Sequence, residues 1–492
     1  MYIMCKEFYK KLFKNLDYKG IFYRHYDQVY KYSDLKHFFL KFLNMISYLP
    51  NYRNKICILS EKSFELYATS ISTVLSNNIW IPISQTLPQQ RIFEIIDITS
   101  PDLFIIDNLN TLKKIKIKNY LKKKGKKIIT FEDINSSISM KRVKLPEYKE
   151  NDLSMIFFTS GSTGKPKGVK ITHGSYIFSL YGQTKNIYKK NTNLIFGDYH
   201  DISFVISLNI LFVCFYLKGQ ISPGINTKDI LFPIEHIRSN KVNTIVTVPT
   251  TINRIRHYYK KLEKNFVLKY LIICGEPFYF DLLEYIFKKN YSENVFNAYG
   301  STELSPWGFC HKCGIKDKNK FKDEIIVPIG KPFKKVITKI IDKEFFIGGP
   351  LLSDGYIDKT ENTNAFRLIN GKRFYKTNDI ALKKKDIYFI KGRKDNVVKL
   401  FGYRIDLYEI DTHLRKNNKI MNCFIFVKEM PDNNKVICAA IESKKVSKLK
   451  IIDSLKRKLP NYMIPKEILI YDKFPTNKNN KMDRSIIKKD FN

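Results

Sequence analysis

A short apolar run that leads into a loop of small, hydroxyl-bearing and basic residues is the feature that most constrains this chain. Residues 155–158 predict a buried strand, and glycines follow at positions 161, 164 and 168. Glycine lets a ligand approach the backbone closely. N–H groups, hydroxyls and ammonium groups suit phosphate oxygens, so we predict a phosphate-binding loop rather than a flexible surface loop. Its predicted ligands are Thr159, Ser160, Gly161, Ser162, Thr163, Gly164, Lys165 and Lys167.

The spacing within this loop excludes a Walker A motif. Gly161 and Gly164 are too close together, and Pro166 follows Lys165 where that motif requires Ser or Thr. A different kind of phosphate loop is therefore expected.

Strand-like segments alternate with helical stretches upstream of residue 392. This alternation is typical of a layered α/β architecture with mostly parallel sheets. The clearest boundary follows a strand-like run at 387–390, and the tail behind it mixes strands with a helix. We therefore predict a large layered N-terminal domain over 1–392 and a small α+β C-terminal domain over 393–492. The segments predicted as strands are 57–60, 80–83, 103–106, 127–130, 244–248, 423–427 and 436–441.

Basic residues greatly outnumber acidic ones. The chain has 86 Lys and Arg against 47 Asp and Glu, a formal net charge of +39. A heavy use of Lys, Asn, Ile and Tyr is the bias of an AT-rich genome, which explains the charge without a function. Alternatively, a basic surface steers an acidic carrier protein or a nucleotide towards the chain. No recognition module accompanies the charge, so we predict no nucleic-acid partner.

Composition also bears on location. The most apolar run, 202–217, is shorter than the ~20 residues of a membrane span and contains polar residues, so it predicts a buried helix. The first residues lack the order of a signal peptide. Eight cysteines form no disulfide framework, and the C-x-x-C pair Cys310 and Cys313 lacks a second pair for zinc. We predict a cytoplasmic protein with no membrane span.

Five further motifs accompany the phosphate loop. In chain order they are IWIPISQTLPQQR at 79–91, NAYGSTE at 297–303, YKTND at 375–379, GRKDNVVKLFGYR at 392–404 and NNKMDR at 479–484. With the loop, they resemble the adenylate-forming superfamily over nearly the whole chain. Within it, the chain is most similar to amino-acid adenylation domains, namely D-alanine:carrier-protein ligases and stand-alone peptide-synthetase adenylation domains.

The resemblance implies a ligase that uses ATP and Mg²⁺ in two steps. A substrate carboxylate attacks the α-phosphorus of ATP to give an acyl-adenylate and pyrophosphate, and a thiol then takes the acyl group as a thioester. Two anions meet in the first step, so the protein is expected to supply positive charge and fixed donors. By resemblance, Lys481 bridges the carboxylate and the α-phosphate, Glu303 helps hold Mg²⁺, and Thr302 donates to the α-phosphate.

The resemblance also assigns nucleotide-binding residues. Tyr299 is the ring that stacks on adenine, Asp379 accepts from the ribose hydroxyls, and Arg393 lies beside it. Asp395 is the hinge at which the mobile small domain rotates between half-reactions, while Lys399 and Gly402 are expected to face the site during thioester formation. The neighbouring nucleotide-binding positions are Asn297, Ala298 and Gly300.

The sequence departs from the family pattern at two glycine positions. Asn378 and Asn480 stand where Gly is usual. Asn tolerates left-handed backbone conformations better than most residues, so both loops are expected to form. The two departures also motivate the alternative of a catalytically weak homologue that serves as a binding protein.

One aspartate suggests which class of acid is activated. Asp201 matches the residue that amino-acid-activating members use for the substrate α-ammonium. The alternative is that it caps the helix that follows, a position that Asp favours. By the same resemblance, the side-chain pocket is lined by Ile272, Cys274, Ala298, Pro306 and Trp307.

The predicted pocket favours a small amino acid. Trp307 would occupy much of it, and the segment ICGEP at 273–277 resembles the corresponding stretch of D-alanine:carrier-protein ligases. Cys274 is equally well explained as a small core residue at a strand end.

The acceptor is expected to be the phosphopantetheine thiol of a separate acyl or peptidyl carrier protein, because the chain stops soon after Arg484. Coenzyme A remains the alternative acceptor. An acyl- or aryl-CoA synthetase is accordingly the second enzymatic hypothesis, and Asp201 argues against it.

Overall fold

The structure is a computed structural model. It describes residues 2–49, 53–107, 109, 111–140, 146–159, 165–188, 193–258, 266–394, 397–417, 419–430, 434–443, 446–475 and 482–491. The chain divides into two compact units. The larger comprises Met1–Gln85, Ile98–Phe158 and Gly168–Lys394, and the smaller comprises Thr86–Asp97, Thr159–Lys167 and Asp395–Asn492. The predicted domain boundary between residues 392 and 393 stays a prediction.

The strands are labelled in chain order. They are Ile21–His25 (β1), Gln28–Lys31 (β2), Lys55–Leu59 (β3), Ile79–Pro82 (β4), Leu103–Ile106 (β5), Lys127–Ile129 (β6), Leu153–Thr159 (β7), Lys167–Thr172 (β8), Ile195–Asp198 (β9), Gln220–Pro223 (β10), Thr244–Thr247 (β11), Tyr270–Cys274 (β12), Val295–Gly300 (β13), Trp307–Lys312 (β14), Lys331–Pro332 (β15), Ile337–Ile341 (β16), Glu344–Gly348 (β17), Gly355–Tyr356 (β18), Phe366–Ile369 (β19), Lys372–Lys384 (β20), Ile387–Arg393 (β21), Val397–Leu400 (β22), Tyr403–Asp406 (β23), Asn422–Glu429 (β24), Lys435–Glu442 (β25) and Glu467–Tyr471 (β26).

The α-helices are Tyr2–Asn15 (α1), Tyr32–Met45 (α2), Phe64–Leu75 (α3), Gln89–Thr99 (α4), Thr111–Lys123 (α5), Phe131–Ser136 (α6), His173–Gln183 (α7), Ile206–Tyr216 (α8), Thr227–Leu231 (α9), Ile234–Ser239 (α10), Pro249–Tyr258 (α11), Phe280–Lys288 (α12), Asp317–Lys320 (α13), Lys359–Ala365 (α14), Leu407–Arg415 (α15), Lys448–Lys456 (α16) and Arg484–Lys489 (α17). A π-helical turn, Thr184–Tyr188, continues α7, and short 3₁₀ turns occur at Thr302–Leu304 and Asn461–Met463.

Within the described residues, the larger unit contains two mostly parallel sheets and one antiparallel sheet. The strand orders are β18-β8-β7-β4-β3-β5-β6, β15-β14-β13-β12-β11-β9-β10-β1-β2, and β16-β17-β20-β19 with β21 paired to β20. Strands β4, β5, β11 and β12 are buried at every position. Parallel strands are covered on both faces, which explains why such segments read as continuous apolar runs rather than as alternating ones.

Aromatic side chains fill much of the larger unit's core. Trp80 is fully buried and packs edge-on against Phe157, with ring centroids 5.4 Å apart, and at 6.0 Å from Phe212. Phe212 lies on α8, whose residues from 207 to 215 are buried all round. Such a helix belongs in a protein core, and the buried helix predicted from the apolar run is confirmed, with a start four residues later than the run.

The smaller unit is built around a three-stranded sheet in the order β24-β25-β26, with β24 and β25 antiparallel and β25 and β26 parallel. Strands β22 and β23 form a separate hairpin that carries Lys399 and Gly402. The fully buried Glu409 on α15 lies 2.9 Å from a guanidinium nitrogen of Arg91 on α4. This ion pair joins the early segment of the unit to its C-terminal part.

The predicted α/β class, with mostly parallel sheets in a large part and a smaller C-terminal part, is confirmed. Strand β5 has the predicted bounds, and β21 ends three residues later than predicted. The other predicted strands differ by one or two residues at one or both ends. One difference concerns the predicted boundary, because β21 continues through Gly392 to Arg393 instead of ending at residue 390. Pairing of residues 392 and 393 with β20 extends the strand.

The eight cysteines all lie in the described part of the chain and are free. No helix among the described residues is long and apolar enough to cross a membrane.

A buried histidine gives the larger unit a pH dependence. His173 is fully buried, its Nδ1 lies 2.5 Å from the Tyr9 hydroxyl, and its Nε2 lies 2.9 Å from Oδ1 of Asn77. Burial, aided by the charge of Arg53, lowers the pKa of His173 from 6.5 to about 3. Between these pH values the unfolded chain therefore binds a proton that the folded chain does not.

We predict that this proton destabilises the fold in acid. The contribution of His173 is complete above pH 6.5 and declines as the pH falls towards 3, by about 1.4 kcal/mol per pH unit. Between pH 7 and pH 5, the wild-type protein should lose about 2 kcal/mol more unfolding free energy than a His173→Gln variant. Urea denaturation at both pH values measures this difference, and equal losses in the two proteins would contradict the assignment.

Candidate functional site

A buried aspartate joins two sheets of the larger unit. Asp379 on β20 is 4% exposed, and its Oδ1 accepts a 2.7 Å hydrogen bond from Nη1 of Arg393. Its Oδ2 accepts from the hydroxyl of Tyr299, which lies near the end of β13. Asp379 and Arg393 are direct cross-strand partners on β20 and β21. The structure therefore brings together three of the residues predicted to bind the nucleotide.

The protonation state of Tyr299 follows from its surroundings. Burial, followed by the negative charge of Asp379, raises the pKa of the Tyr299 hydroxyl well above its ordinary value. The hydroxyl consequently stays protonated and acts as a donor. Its ring packs edge-on against Phe309 at 5.9 Å and is 7% exposed. Whether it stacks on adenine stays a prediction.

Glu303 lies in a tight turn directly after β13. It is fully buried, and its Oε1 accepts a 2.6 Å hydrogen bond from the Tyr356 hydroxyl of β18. Its backbone carbonyl accepts from the N–H of Ser353 at 2.9 Å. Thr302, beside it, is 9% exposed. The turn therefore holds one carboxylate in a defined position.

The donor set around Glu303 can be compared with what Mg²⁺ requires. Mg²⁺ is usually held by one or two carboxylates together with substrate phosphates and water, rather than by a cage of protein ligands. Among the described residues, no group of three candidate ligands includes Glu303. A single fixed carboxylate fits an ion that arrives with a nucleotide.

Asp201 follows β9 and is held from two sides. Its Oδ2 accepts a 2.5 Å hydrogen bond from the hydroxyl of Ser84, which follows β4. Its Oδ1 accepts from the backbone N–H and the hydroxyl of Ser203, at 2.9 and 2.7 Å. A carboxylate has about four acceptor sites, so these three bonds leave it able to accept from a further donor.

The helix-cap alternative for Asp201 is wrong. The N-cap of α8 is Val205, and the turn that contains Asp201 closes before the helix begins. The hydrogen bonds to Ser203 span two residues and form a local Asx turn.

The predicted pocket residues share one face of the nine-stranded sheet. Ile272 and Cys274 are two residues apart on β12, so their side chains point the same way. Ala298 pairs with Cys274 across β12 and β13. These three residues and Trp307 are at most 4% exposed and belong to the same hydrophobic cluster, whereas Leu271 and Ile273 pack on the opposite face.

Trp307 is fixed through its backbone. The hydroxyl of Ser179 on α7 donates to the Trp307 carbonyl at 2.8 Å and accepts from its N–H at 3.1 Å. Gln183 on the same helix donates to Oδ1 of Asn209 on α8 at 2.6 Å. A buried row of polar side chains thus links the start of β14 to α8.

Several predicted site residues lie outside the described residues. They are Ser160, Gly161, Ser162, Thr163, Gly164, Asp395, Asn480 and Lys481. Of the remaining loop ligands, Thr159 ends β7, Lys165 is exposed and Lys167 begins β8. Asn378 adopts φ of 59°, so the expectation that this loop uses the left-handed tolerance of Asn is confirmed.

The sequence did not single out several of the residues that fix the site. Tyr356, Ser179 and Ser203 lie outside the family motifs, and Ser84 lies inside the motif at 79–91 without an assigned role. Ser84 and Asp201 do share one recognisable signal, because each follows a strand of a mostly parallel sheet. Ligand-binding groups concentrate at the carboxyl ends of such strands. A polar residue at such a position could therefore have been predicted as a candidate site residue.

Comparison with known proteins identifies a family match. The family model described as AMP-binding enzyme matches residues 32–356. Bacitracin synthase 1 of Bacillus licheniformis is 28% identical over 454 residues, which cover 87% of this chain and 8% of that protein. The D-alanine--D-alanyl carrier protein ligase of Staphylococcus epidermidis is 26% identical over 431 residues, which cover 85% of each chain. The chain thus spans a small part of the first relative and most of the second.

A solved structure shares the fold. The adenylation domain AlmE of Vibrio cholerae, in complex with glycyl-adenosine-5'-phosphate, has a TM-score of 0.84 and 18% identity. The match covers 99% of this chain and 97% of that one. At this identity the likeness concerns the fold.

We predict that Gly300→Ala disrupts the turn that carries Glu303. A Cβ at position 300 would lie 1.9 Å from the Pro306 carbonyl oxygen and 2.8 Å from the Trp307 Cα, both backbone atoms. Overpacking against atoms that cannot move aside costs about 1–3 kcal/mol or more. Thermal unfolding should show a clear loss of stability.

Gly314→Ala is the control for that experiment. Neither Gly300 nor Gly314 has a positive φ, but an added Cβ at position 314 meets no atom closer than 3.8 Å, so little stability should be lost. If both variants lost the same stability, the steric explanation at Gly300 would be wrong.

Proposed function

Because this chain belongs to the AMP-binding enzyme family, we propose that it is a ligase that activates an amino acid with ATP and transfers it to a thiol. In the first step, the substrate carboxylate attacks the α-phosphorus, the bond to the bridging oxygen of the β-phosphate breaks, and pyrophosphate leaves. In the second step, the thiol sulfur attacks the acyl carbon, AMP leaves, and the thiol proton passes to solvent.

The observation that carries the amino-acid assignment is the setting of Asp201. Its carboxylate is oriented by Ser84 and Ser203 and retains acceptor capacity. A fixed anion of this kind suits the ammonium group of an amino acid, since charged hydrogen bonds are about twice as strong as neutral ones. A fatty or aryl acid has no group that needs it.

The nucleotide is assigned to the cluster around Asp379. Two of its roughly four acceptor sites are used by Tyr299 and Arg393, which leaves acceptors for ribose hydroxyls. Asn297, Ala298 and Gly300 lie on the same strand as Tyr299. Fixed donors and acceptors of this kind bind without reorganisation when the substrate arrives.

Glu303 is proposed to hold Mg²⁺ together with the phosphates. When bound, the ion would neutralise charge on the phosphate oxygens and on the departing pyrophosphate. The Tyr356 hydroxyl orients the carboxylate for this role. Phosphate contacts are assigned by resemblance to residues 159–167, and the bridging cation to Lys481.

A small amino acid is the proposed substrate, and a separate carrier protein is the proposed acceptor. By resemblance, Trp307, Cys274 and Ile272 line the side-chain pocket. Each is at most 4% exposed, which suits a small side chain better than a long one. The relative that matches over most of its own length is named as a ligase of D-alanine and a carrier protein. The net charge of +39 also suits an acidic protein partner.

An acyl- or aryl-CoA synthetase is the second candidate, with coenzyme A as the acceptor, and a weakly active binding homologue is the third. Exchange of radioactive pyrophosphate into ATP separates them when D- and L-amino acids, short fatty acids and aryl acids are offered in turn. Exchange that depends on one small amino acid supports the proposal and fixes its chirality. Exchange with a non-amino acid only would support the second candidate, and none with any acid would support the third.

We predict that Asp201→Ala raises the KM for the activated amino acid by roughly 10²–10³-fold. Loss of one partner of a buried charge pair costs about 3–5 kcal/mol, and about 1.4 kcal/mol corresponds to a tenfold change. Asp386→Ala is the matched control, because that carboxylate is 73% exposed and should leave KM unchanged. An Asp201→Ala enzyme with wild-type KM would favour a substrate without an ammonium group.

We predict that Lys481→Ala lowers the rate of pyrophosphate exchange by roughly 10²–10³-fold, as the loss of a charge-stabilising donor does in other enzymes. Lys489→Ala, an exposed lysine on α17, controls for the loss of one positive charge. Unchanged exchange in Lys481→Ala would exclude the bridging role while leaving the assignment of Asp201 intact.

A further inference from the structure

Two histidines and an aspartate converge at the end of the nine-stranded sheet that carries β1 and β2. His25 is the last residue of β1, Asp229 lies on α9, and His236 lies on α10. Each offers one ligand atom, and the three atoms all lie within 4.8 Å of one another. Asp229 is 3% exposed and His236 is fully buried. None of the three belongs to the nucleotide or amino-acid site proposed above.

The separation of the ligand atoms suits one small ion. Nε2 of His25 lies 3.5 Å from Oδ2 of Asp229. Two donors that each lie about 2.1 Å from a tetrahedral ion are separated by roughly 3.4 Å. Within the described part of the chain, the buried Nε2 of His25 forms no hydrogen bond. An imidazole nitrogen thus lies at a ligand-to-ligand distance from a carboxylate oxygen.

Outer hydrogen bonds orient the ligands. The hydroxyl of Tyr26 donates to Oδ1 of Asp229 at 2.9 Å, and the amide of Asn226 donates to Oδ2 at 3.0 Å. Nδ1 of His236 lies 2.9 Å from the Tyr199 hydroxyl. Protein metal sites are commonly supported in this way, because ligating carboxylates and imidazoles are themselves hydrogen-bonded.

We propose that His25, Asp229 and His236 form a binding site for a divalent transition-metal ion, with Zn²⁺ as the best match. Two imidazoles and a carboxylate are ligands that Zn²⁺ uses, whereas Mg²⁺ and Ca²⁺ prefer oxygen alone. A water molecule or an external ligand would take the fourth position. His25 is 17% exposed, which gives the ion a route to the buried ligands.

Bound metal would connect β1 to α9 and α10. These elements are also connected by Tyr26, whose N–H donates to Asn240 at 2.7 Å.

The test is equilibrium dialysis of the tag-free, chelator-treated protein against Zn²⁺, followed by metal analysis. We expect one Zn²⁺ per chain with micromolar or tighter affinity, and a higher melting temperature in its presence. His25→Ala and the isosteric Asp229→Asn should each weaken binding at least tenfold. His37→Ala, which removes an exposed histidine elsewhere, should leave binding unchanged.

Co²⁺ serves as a second probe, because its spectrum reports the ligands. We expect visible bands of a four-coordinate site without the near-ultraviolet band of thiolate ligands. A thiolate band would assign the metal to cysteine, with Cys310 and Cys313 as the candidates, and would overturn the proposal. Less than stoichiometric Zn²⁺ on the wild-type protein, or undiminished binding in both ligand variants, would also overturn it.

Discussion

The candidate site depends on buried carboxylates that are fixed by neighbouring donors. Removing a carboxylate from water costs several kcal/mol unless hydrogen bonds and opposite charge compensate. Asp379 meets this requirement through Tyr299 and Arg393, and it thereby joins β13 of the nine-stranded sheet to β20 and β21 of the antiparallel sheet. This compensation holds together residues of three strands that are proposed to bind the nucleotide.

The same requirement applies elsewhere in the larger unit. Glu303 is compensated by the Tyr356 hydroxyl, and the half-buried Asp201 by Ser84 and by its near neighbour Ser203. Tyr356 and Ser84 come from different segments of the chain, so each carboxylate also ties two segments together. Each retains acceptor capacity, which is what a site for a cation, an ammonium group or a ribose requires. The carboxylates that tie these segments together are therefore the same side chains that are proposed to bind the substrates.

Sequence patterns predicted the fold class and most strands because both depend on local properties. Strands β4 and β5 are continuous apolar runs, and buried parallel strands are expected to have that pattern. The end of β21 was predicted too early because its last two residues are held by pairing with β20 rather than by their own propensity. The helix-cap explanation for Asp201 failed because the turn at Ser203 closes before α8 begins.

The sequence by itself determined the family, the order of the motifs and the identity of Asp379, Glu303 and Asp201 as candidate ligands. Only the tertiary structure decided which donors hold them, since Ser84 and Asp201 are 117 residues apart and Tyr299 and Asp379 are 80 apart. Likewise, no sequence pattern predicted the convergence of His25, Asp229 and His236. A motif contains only residues that are close together in the chain. The partners of a buried charge, by contrast, are the side chains that the packed sheets bring within about 3 Å of it.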